Sequence, residues 1–378
     1  MKIAIILGTR PEIIKLAPIL RRIQASENEL MLIHTNQHYS ANMDGVFFKE
    51  LALPAPDSNL GVGSGTHGAQ TGLMLARLEK ALNMNRPDAV LVQGDTNTVL
   101  AGALAAVKLG IQVGHVEAGL RSYDRTMPEE INRVLTDHAA DILFAPTQNA
   151  AQLLHAEGIP SERIEVTGNT IVDAINDHRE LVNSRSYILS TLKLEPRGYL
   201  LLTLHRPANV DRRETLAEII IGITNVARIT QLPVVFPAHP RTVKQLEQFK
   251  LTLPVSFRQI KPIGYLDFLG LEANAELILT DSGGIQEEAC VLRVPCVTIR
   301  ENTERPETLA VGANELAGLT SIGIQAASAK MLAQARTWQN PFGDGRASDR
   351  ILHKLSTRFS TLPATGFASV KGHGDHNF

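Results

Sequence analysis

The strongest constraint on this chain is an alternation, run twice, of short Ile-, Val- and Leu-rich stretches with longer amphipathic ones. In the first half the apolar stretches are Ile3–Leu7, Met31–Thr35, Ala89–Gln93, Gln112–Val116 and Ile142–Ala145. Helical periodicity fills the intervals at Pro11–Gln24, Thr71–Asn83, Thr98–Leu109, Glu130–Ala140 and Asn149–Glu157. The second half repeats the pattern, with strands at Tyr199–Thr203, Val234–Pro237, Val255–Arg258, Glu276–Thr280 and Cys296–Ile299 and helices at Thr215–Thr230, Arg241–Phe249 and Ile285–Val291. A strand apolar on both faces is buried on both, which happens when helices cover a parallel sheet on each side. The pattern therefore predicts α/β architecture: two Rossmann-like, doubly wound domains facing each other across a cleft. A length of 378 residues suits two domains of roughly 150 residues or more each. The polar helical stretch between Asp173 and Arg197 ends in a Pro/Gly break and marks the division. The expected domains are residues 1–175 and 176–359, with a last helix at about Ser348–Phe359 packing back. Residues 360–378, rich in Gly, Ser and His, read as a disordered tail. The Leu-Pro-Ala-Thr-Gly within it matches a sorting signal by coincidence, since no apolar segment accompanies it.

Composition narrows the function class. The balance of 37 basic and 39 acidic side chains with only 17 aromatics argues against a nucleic-acid-coating surface. No apolar run approaches the 18 or so residues of a membrane span, and the opening stretch is too short for a signal peptide. Cys290 and Cys296 form no disulfide framework or metal-ligand spacing and are expected in the core, in a reducing, cytoplasmic setting.

The chemistry-bearing residues follow the strands. Gly8-Thr-Arg-Pro-Glu-Ile-Ile-Lys15 closes the first strand and opens a helix. Arg10 and Lys15 thus sit at the positive end of a helix dipole, a placement explained if an anion binds there; the alternative is two solvated cations compensated by Glu12. Thr280-Asp-Ser-Gly-Gly-Ile-Gln-Glu-Glu288 is a second strand-to-helix turn. Gly283 and Gly284 let a phosphate approach the backbone, Ser282 is a candidate N-cap or ligand, and Glu288 is placed to accept hydroxyl hydrogens. Gly61-Val-Gly-Ser-Gly65 follows no strand, so it is read as a flexible loop, with no case for a nicotinamide. Asp95 and Glu117 each lie just past a strand, and Glu129 opens a helix with Arg133 one turn on. In a parallel sheet these positions share the carboxyl rim where ligands bind. Three carboxylates on one rim suit proton transfer, with mutual repulsion expected to raise at least one pKa. His205 faces the cleft from the second half; His239 reads as structural, and His34 with His38 makes no metal site.

At these motifs the sequence closely resembles the non-hydrolysing UDP-N-acetylglucosamine 2-epimerases. Besides the two turns above, the matching stretches are Gly94-Asp-Thr, Gly114-His-Val-Glu-Ala-Gly-Leu-Arg121, Pro128-Glu-Glu-Ile-Asn-Arg133, Thr167-Gly-Asn-Thr170, His205-Arg206 and Glu304-Arg-Pro-Glu307. The resemblance implies a glycosyltransferase-B-type fold, a UDP-sugar substrate, no metal or redox cofactor, and a homodimer. It also implies interconversion of UDP-GlcNAc and UDP-ManNAc by elimination of UDP to 2-acetamidoglucal and re-addition. Asp95, Glu117 and Glu129 match the family's acid/base carboxylates. Arg10, Lys15, Arg133, His205, Ser282, Gly283 and Gly284 match positions around the diphosphate, with His205 counted also among the catalytic groups. Glu288 matches the ribose ligand and Phe268 falls near the uracil pocket.

Three segments depart from the best-known bacterial pattern: Pro207-Ala-Asn209, Gln37-His-Tyr-Ser-Ala-Asn-Met43 and Thr66-His-Gly-Ala-Gln70. The last two correspond to the lining of a second substrate site in allosterically activated members, so no substrate activation is expected. The departures leave room for a related substrate such as a UDP-diacetamido sugar acid. A hydrolysing epimerase and a glycosyltransferase of the same fold are the other enzyme readings. A sensor without turnover would predict loss of the carboxylate trio.

Overall fold

The structure is a computed structural model that describes residues 1–37 and 41–359. His38, the segment around it and the Leu-Pro-Ala-Thr-Gly tail lie outside the described residues. The strands of the first half are β1 (Lys2–Leu7), β2 (Glu29–His34), β3 (Ser58–Asn59), β4 (Ala89–Gln93), β5 (Gln112–Val116), β6 (Ile142–Ala145) and β7 (Ile164–Val166). Those of the second half are β8 (Leu200–Thr203), β9 (Val234–Pro237), β10 (Phe257–Ile260), β11 (Leu277–Thr280), β12 (Cys296–Thr298) and β13 (Asn314–Leu316). They form two sheets, β3-β2-β1-β4-β5-β6-β7 and β10-β9-β8-β11-β12-β13. Every strand pairing among the described residues is parallel, from Lys2↔Glu29 in the first sheet to Thr298↔Leu316 in the second. The doubly wound α/β reading of the sequence is met in both halves.

Burial explains why the sequence pattern was so plain. All of Ile3–Leu7 and Ala89–Val92 are fully buried, so neither face of the strand tolerates a polar residue. One apolar cluster, containing Ile3, Ile5, Leu16, Leu20, Tyr265, Leu269, Trp338 and Phe342, joins the first sheet's inner helices to helices of the second half. The last helix, Ala347–Phe359, adds Ile351, Leu355 and Phe359 to that cluster. A second covers the opposite face of the first sheet, and two more sandwich the second sheet. Cys290 and Cys296 are buried in these cores, and the indole N–H of Trp338 donates to the Cys290 carbonyl at 2.9 Å. Among the described residues, no helix is long and apolar enough to cross a membrane.

Strand order also fixes where a ligand can bind. In the first sheet the order reverses between β1 and β4, and in the second between β8 and β11. Loops at the carboxyl ends of such strand pairs diverge and leave a crevice. The loops at those four ends begin at Gly8, Gly94, Leu204 and Asp281, and they carry the residues described next.

Candidate active site

The turn after β1 is built around its own carboxylate. At Gly8 any Cβ would collide with the hydroxyls of Thr35 and Thr98, so only glycine fits. The backbone N–H groups of Gly8 and Thr9 donate to Glu12 at 2.5 and 3.1 Å, and the Thr96 hydroxyl donates to its other oxygen at 2.5 Å. Glu12 thereby ties the β1 loop to the β4 loop. Burial pushes its carboxyl up to about 7 despite those donors. Arg10 projects over the Phe47 ring, 5.2 Å from its centre.

One helical turn on, Lys15 is buried between carboxylates from both halves. Its ammonium donates to Glu117 Oε2 and, at 2.7 Å, to Glu287 Oε2. Arg305 does the same on the other side, with NH2 2.9 Å from Glu117 Oε1 and Nε 2.6 Å from Glu287 Oε1. Each carboxylate therefore gives one oxygen to each cation, in a closed ring of alternating charge. Gln93 adds a donor to Glu117 at 2.9 Å and Asn169 one to Glu287 at 3.0 Å. Burial by itself would depress Lys15, but Glu117 and Glu287 outweigh it and hold the ammonium above its usual range. Glu117 reaches the ring from a left-handed backbone, φ +69°. A non-glycine residue there carries roughly 1–3 kcal/mol of strain, of the kind found at functional turns.

Asp95, after β4, accepts from Arg133 at 2.5 Å, and Arg133 also pairs with Glu130 at 2.9 Å. The Asn132 amide holds the Asp95 carbonyl at 3.0 Å. Behind this loop, His115 bridges Asp137 (2.7 Å) and the Gly94 carbonyl (2.8 Å). Burial would raise Asp137, but His115 and Arg121 keep it below the usual carboxylate range. Glu129 is half-buried at the start of the helix Pro128–Ala139. No hydrogen bond among the described residues links Asp95, Glu117 and Glu129; the first two face cations instead. Burial raises the carboxyls of Glu12, Asp173, Glu272 and Glu288.

The second half contributes the opposite wall. Asp281, fully buried, accepts from the backbone N–H groups of His205 (2.9 Å) and Arg206 (2.8 Å), and its other oxygen lies 3.0 Å from His205 Nδ1. The His205 ring stays partly exposed and sits 5.8 Å from the His239 ring. Burial, then the neighbouring His205 and Arg10, lower the His239 pKa. His239 also caps its helix, accepting from the Arg241 N–H at 3.2 Å, as the structural reading expects. Ser282 occupies the N-cap position of the helix Gly283–Leu292 without a side-chain capping bond. A Cβ on Gly284 would meet nothing within 4 Å, whereas one on Gly283 would press on Glu304 at 3.0 Å. Glu304 pairs with Arg300 at 2.8 Å and Arg206 at 3.3 Å. Phe268 packs, partly buried, at the edge of a second-half core. Glu288 lies deep in its helix beside Tyr265 and Glu272.

Reasoning from sequence singled out neither Glu287 nor Arg305, although both stand inside quoted motifs, and it missed Glu12 and Glu272 as functional groups. A buried charge has no sequence signature until its partner is known. The Gly61–Gly65 loop is tied down: Gln70 donates to the Gly63 carbonyl at 2.8 Å and to that of Gln37 at 3.0 Å. The two walls together bring cation-paired carboxyl groups, several cations and an open helix N-terminus to one crevice, a combination suited to moving a proton beside a bound anion.

Comparison with known proteins gives the chain a family and solved relatives. The family model for UDP-N-acetylglucosamine 2-epimerase matches residues 21–356. The chain is 55% identical over 364 residues to the UDP-N-acetylglucosamine 2-epimerase of Methanocaldococcus jannaschii, covering 94% of this chain and 99% of that protein. It is 40% identical to the UDP-2,3-diacetamido-2,3-dideoxy-D-glucuronate 2-epimerase of Pseudomonas aeruginosa, over 94% of this chain and 99% of the other. A crystal structure of the M. jannaschii UDP-GlcNAc 2-epimerase in complex with UDP-GlcNAc and UDP superimposes with a TM-score of 0.90, covering 94% of this chain and all of that one.

Proposed function

This chain belongs to the UDP-N-acetylglucosamine 2-epimerase family, and from that premise we propose that it interconverts UDP-GlcNAc and UDP-ManNAc by eliminating UDP and adding it back. In the forward step a carboxylate takes the C2 proton, the C2–H electrons form the C1=C2 bond, and the C1–O pair leaves with UDP. The intermediate is 2-acetamidoglucal. UDP then attacks C1 again while a proton is delivered to the opposite face of C2. No carbonyl adjoins C2, so the proton is not acidic unless the diphosphate departs with its charge already compensated. In this reading residues 1–175 carry the carboxylates Asp95, Glu117 and Glu129, and residues 176–359 hold the nucleotide. Arg10, Arg133, His205 and the Ser282-Gly283-Gly284 turn surround the diphosphate, Glu288 receives the ribose and Phe268 borders uracil. The protein works as a cytoplasmic homodimer.

The observation that carries the proposal is the charge ring at Glu117. Held by Lys15 and Arg305, with Gln93 on the Lys15-bound oxygen, Glu117 has both carboxylate oxygens engaged. A diphosphate arriving nearby offers Lys15 a competing anion, and release of Lys15 frees a Glu117 oxygen to take the proton when substrate is present. Re-addition of UDP is favoured over hydrolysis when the glucal stays enclosed, and Glu50 of the first half, which accepts from the Tyr265 and Leu266 N–H groups at 3.1 and 2.7 Å, helps hold the halves together. The test is to incubate the purified protein with UDP-GlcNAc and separate the nucleotides. UDP-ManNAc is the expected product; free UDP with ManNAc identifies a hydrolysing enzyme. The 40% identity to the P. aeruginosa enzyme favours one second reading, a UDP-diacetamido sugar acid as substrate. Turnover of that nucleotide with none of UDP-GlcNAc would replace the first reading.

A further inference from the structure

Behind Glu288 lies a second carboxyl that none of the steps above uses. Glu272, on the helix Tyr265–Asn274, is fully buried beside Glu288 on the neighbouring helix Gly283–Leu292. As a carboxylate it would have no donor for either oxygen. Two carboxylates cannot share a buried contact, because a bond between them requires one hydrogen and an unpaired buried ion costs several kcal/mol. The surroundings decide where that hydrogen sits. Glu288 is faced by Lys15, Glu287 and the Tyr265 hydroxyl. Glu272 is faced by Glu288, Tyr265, Tyr199 and Cys296 and, among the described residues, by no cation. Tyr199 has its own hydroxyl committed to the Leu271 carbonyl at 2.6 Å. Glu50, at the far end, is engaged by backbone N–H groups next to Tyr265. Lys15 favours the anion on Glu288, so the proton belongs on Glu272.

We infer that Glu272 is a positioning residue: its carboxylic O–H is donated to Glu288 and sets the Glu288 carboxylate that receives the ribose hydroxyls of the nucleotide. The inference rests on the ribose reading of Glu288 given above. A carboxylate that already accepts from Glu272 loses rotational freedom and presents its remaining lone pairs in one direction. A neutral donor does this without adding charge beside the ring at Lys15, which a lysine or arginine at 272 would unbalance.

The experiment uses the full chain with Glu272→Leu, Glu272→Gln and Glu288→Gln, measuring binding of UDP and 2′-deoxy-UDP by calorimetry alongside KM and kcat. Glu272→Leu keeps the apolar volume and removes the donor. It should weaken UDP binding and raise KM about tenfold, the loss of one charge-assisted hydrogen bond. Its kcat should change less than KM, and the preference for UDP over 2′-deoxy-UDP should shrink. Glu272→Gln, which retains an N–H donor, should recover most of that preference. An infrared band of a protonated carboxyl, present at neutral pH and lost in Glu272→Gln, reads the proton directly in folded protein. An unchanged UDP preference in Glu272→Leu, or no such band, overturns the inference while leaving the ribose reading intact, provided Glu288→Gln abolishes the preference. If Glu288→Gln keeps the preference too, the ribose reading falls and takes the inference with it.

Discussion

Replacing Arg305 with Met removes one corner of the charge ring while keeping an unbranched stem in its place. Arg305, Glu117 and Glu287 are 5%, 7% and 0% exposed, so water cannot replace the lost guanidinium. Two cations and two carboxylates balance in the native ring; without Arg305 the ring carries one excess negative charge, and Glu117 and Glu287 each lose one of three donors. Orphaning a buried charge in this way costs ~3–5 kcal/mol. For domains of this size that lowers the unfolding temperature by on the order of 10 °C. The companion variant is Arg305→Met with Glu287→Met, which restores neutrality through Lys15 and Glu117. The double variant should be less destabilised than the sum of the single ones, by about 2 kcal/mol of coupling. Turnover should stay low in both, because Glu117 has lost the contact that orients it. Thermal and urea unfolding with a product assay on the same preparations separates the two effects. A single variant within about 1 kcal/mol of wild type, or strict additivity in the double, would refute the balanced ring.

Three other perturbations bear on the account. Glu117→Gln should lower epimerisation by at least about a hundredfold while UDP affinity by calorimetry stays within about threefold; an active variant removes Glu117 from the catalytic set. Gly8→Ala forces a methyl against Thr35 and Thr98 and should destabilise the fold by about 1–3 kcal/mol, seen as a lower urea midpoint. Burial and then Arg21 push the His178 pKa down from 6.5 to about 4, so the unfolded chain binds the proton more readily. Stability from His178 is complete above pH 6.5 and is lost as pH falls toward 4, ~3 kcal/mol in all. His178→Gln should flatten the urea midpoint across that window, and an unaltered acid limb would contradict it.

The architecture was legible because fully buried parallel strands leave long apolar runs, as Ile3–Leu7 and Ala89–Gln93 do. What escaped was short or edge-placed. β3, β7 and β13 have two or three residues each, too few for a periodic signal. The strand expected at Val255–Arg258 is found at Phe257–Ile260, and Val255 is fully exposed; at a sheet edge the two faces no longer demand the same residues. In the site, the positions after strands were legible, because the carboxyl ends of a parallel sheet face one way. That reasoning reaches Arg10, Asp95, Glu117 and His205. It does not reach the pairing of Lys15 with Glu287, 272 residues along the chain, or the burial of Glu272. The expected mutual repulsion of Asp95, Glu117 and Glu129 failed to account for Arg133 and Arg305, whose cations reach Asp95 and Glu117 only in the folded chain.

The most direct test of the central claim is proton NMR of the purified protein with UDP-GlcNAc in deuterated buffer, with no metal or nicotinamide added. Elimination and re-addition predict UDP-ManNAc carrying deuterium at C2, and deuterium also entering the UDP-GlcNAc that returns. UDP-ManNAc that keeps its C2 proton, formed at the same rate, would contradict the account.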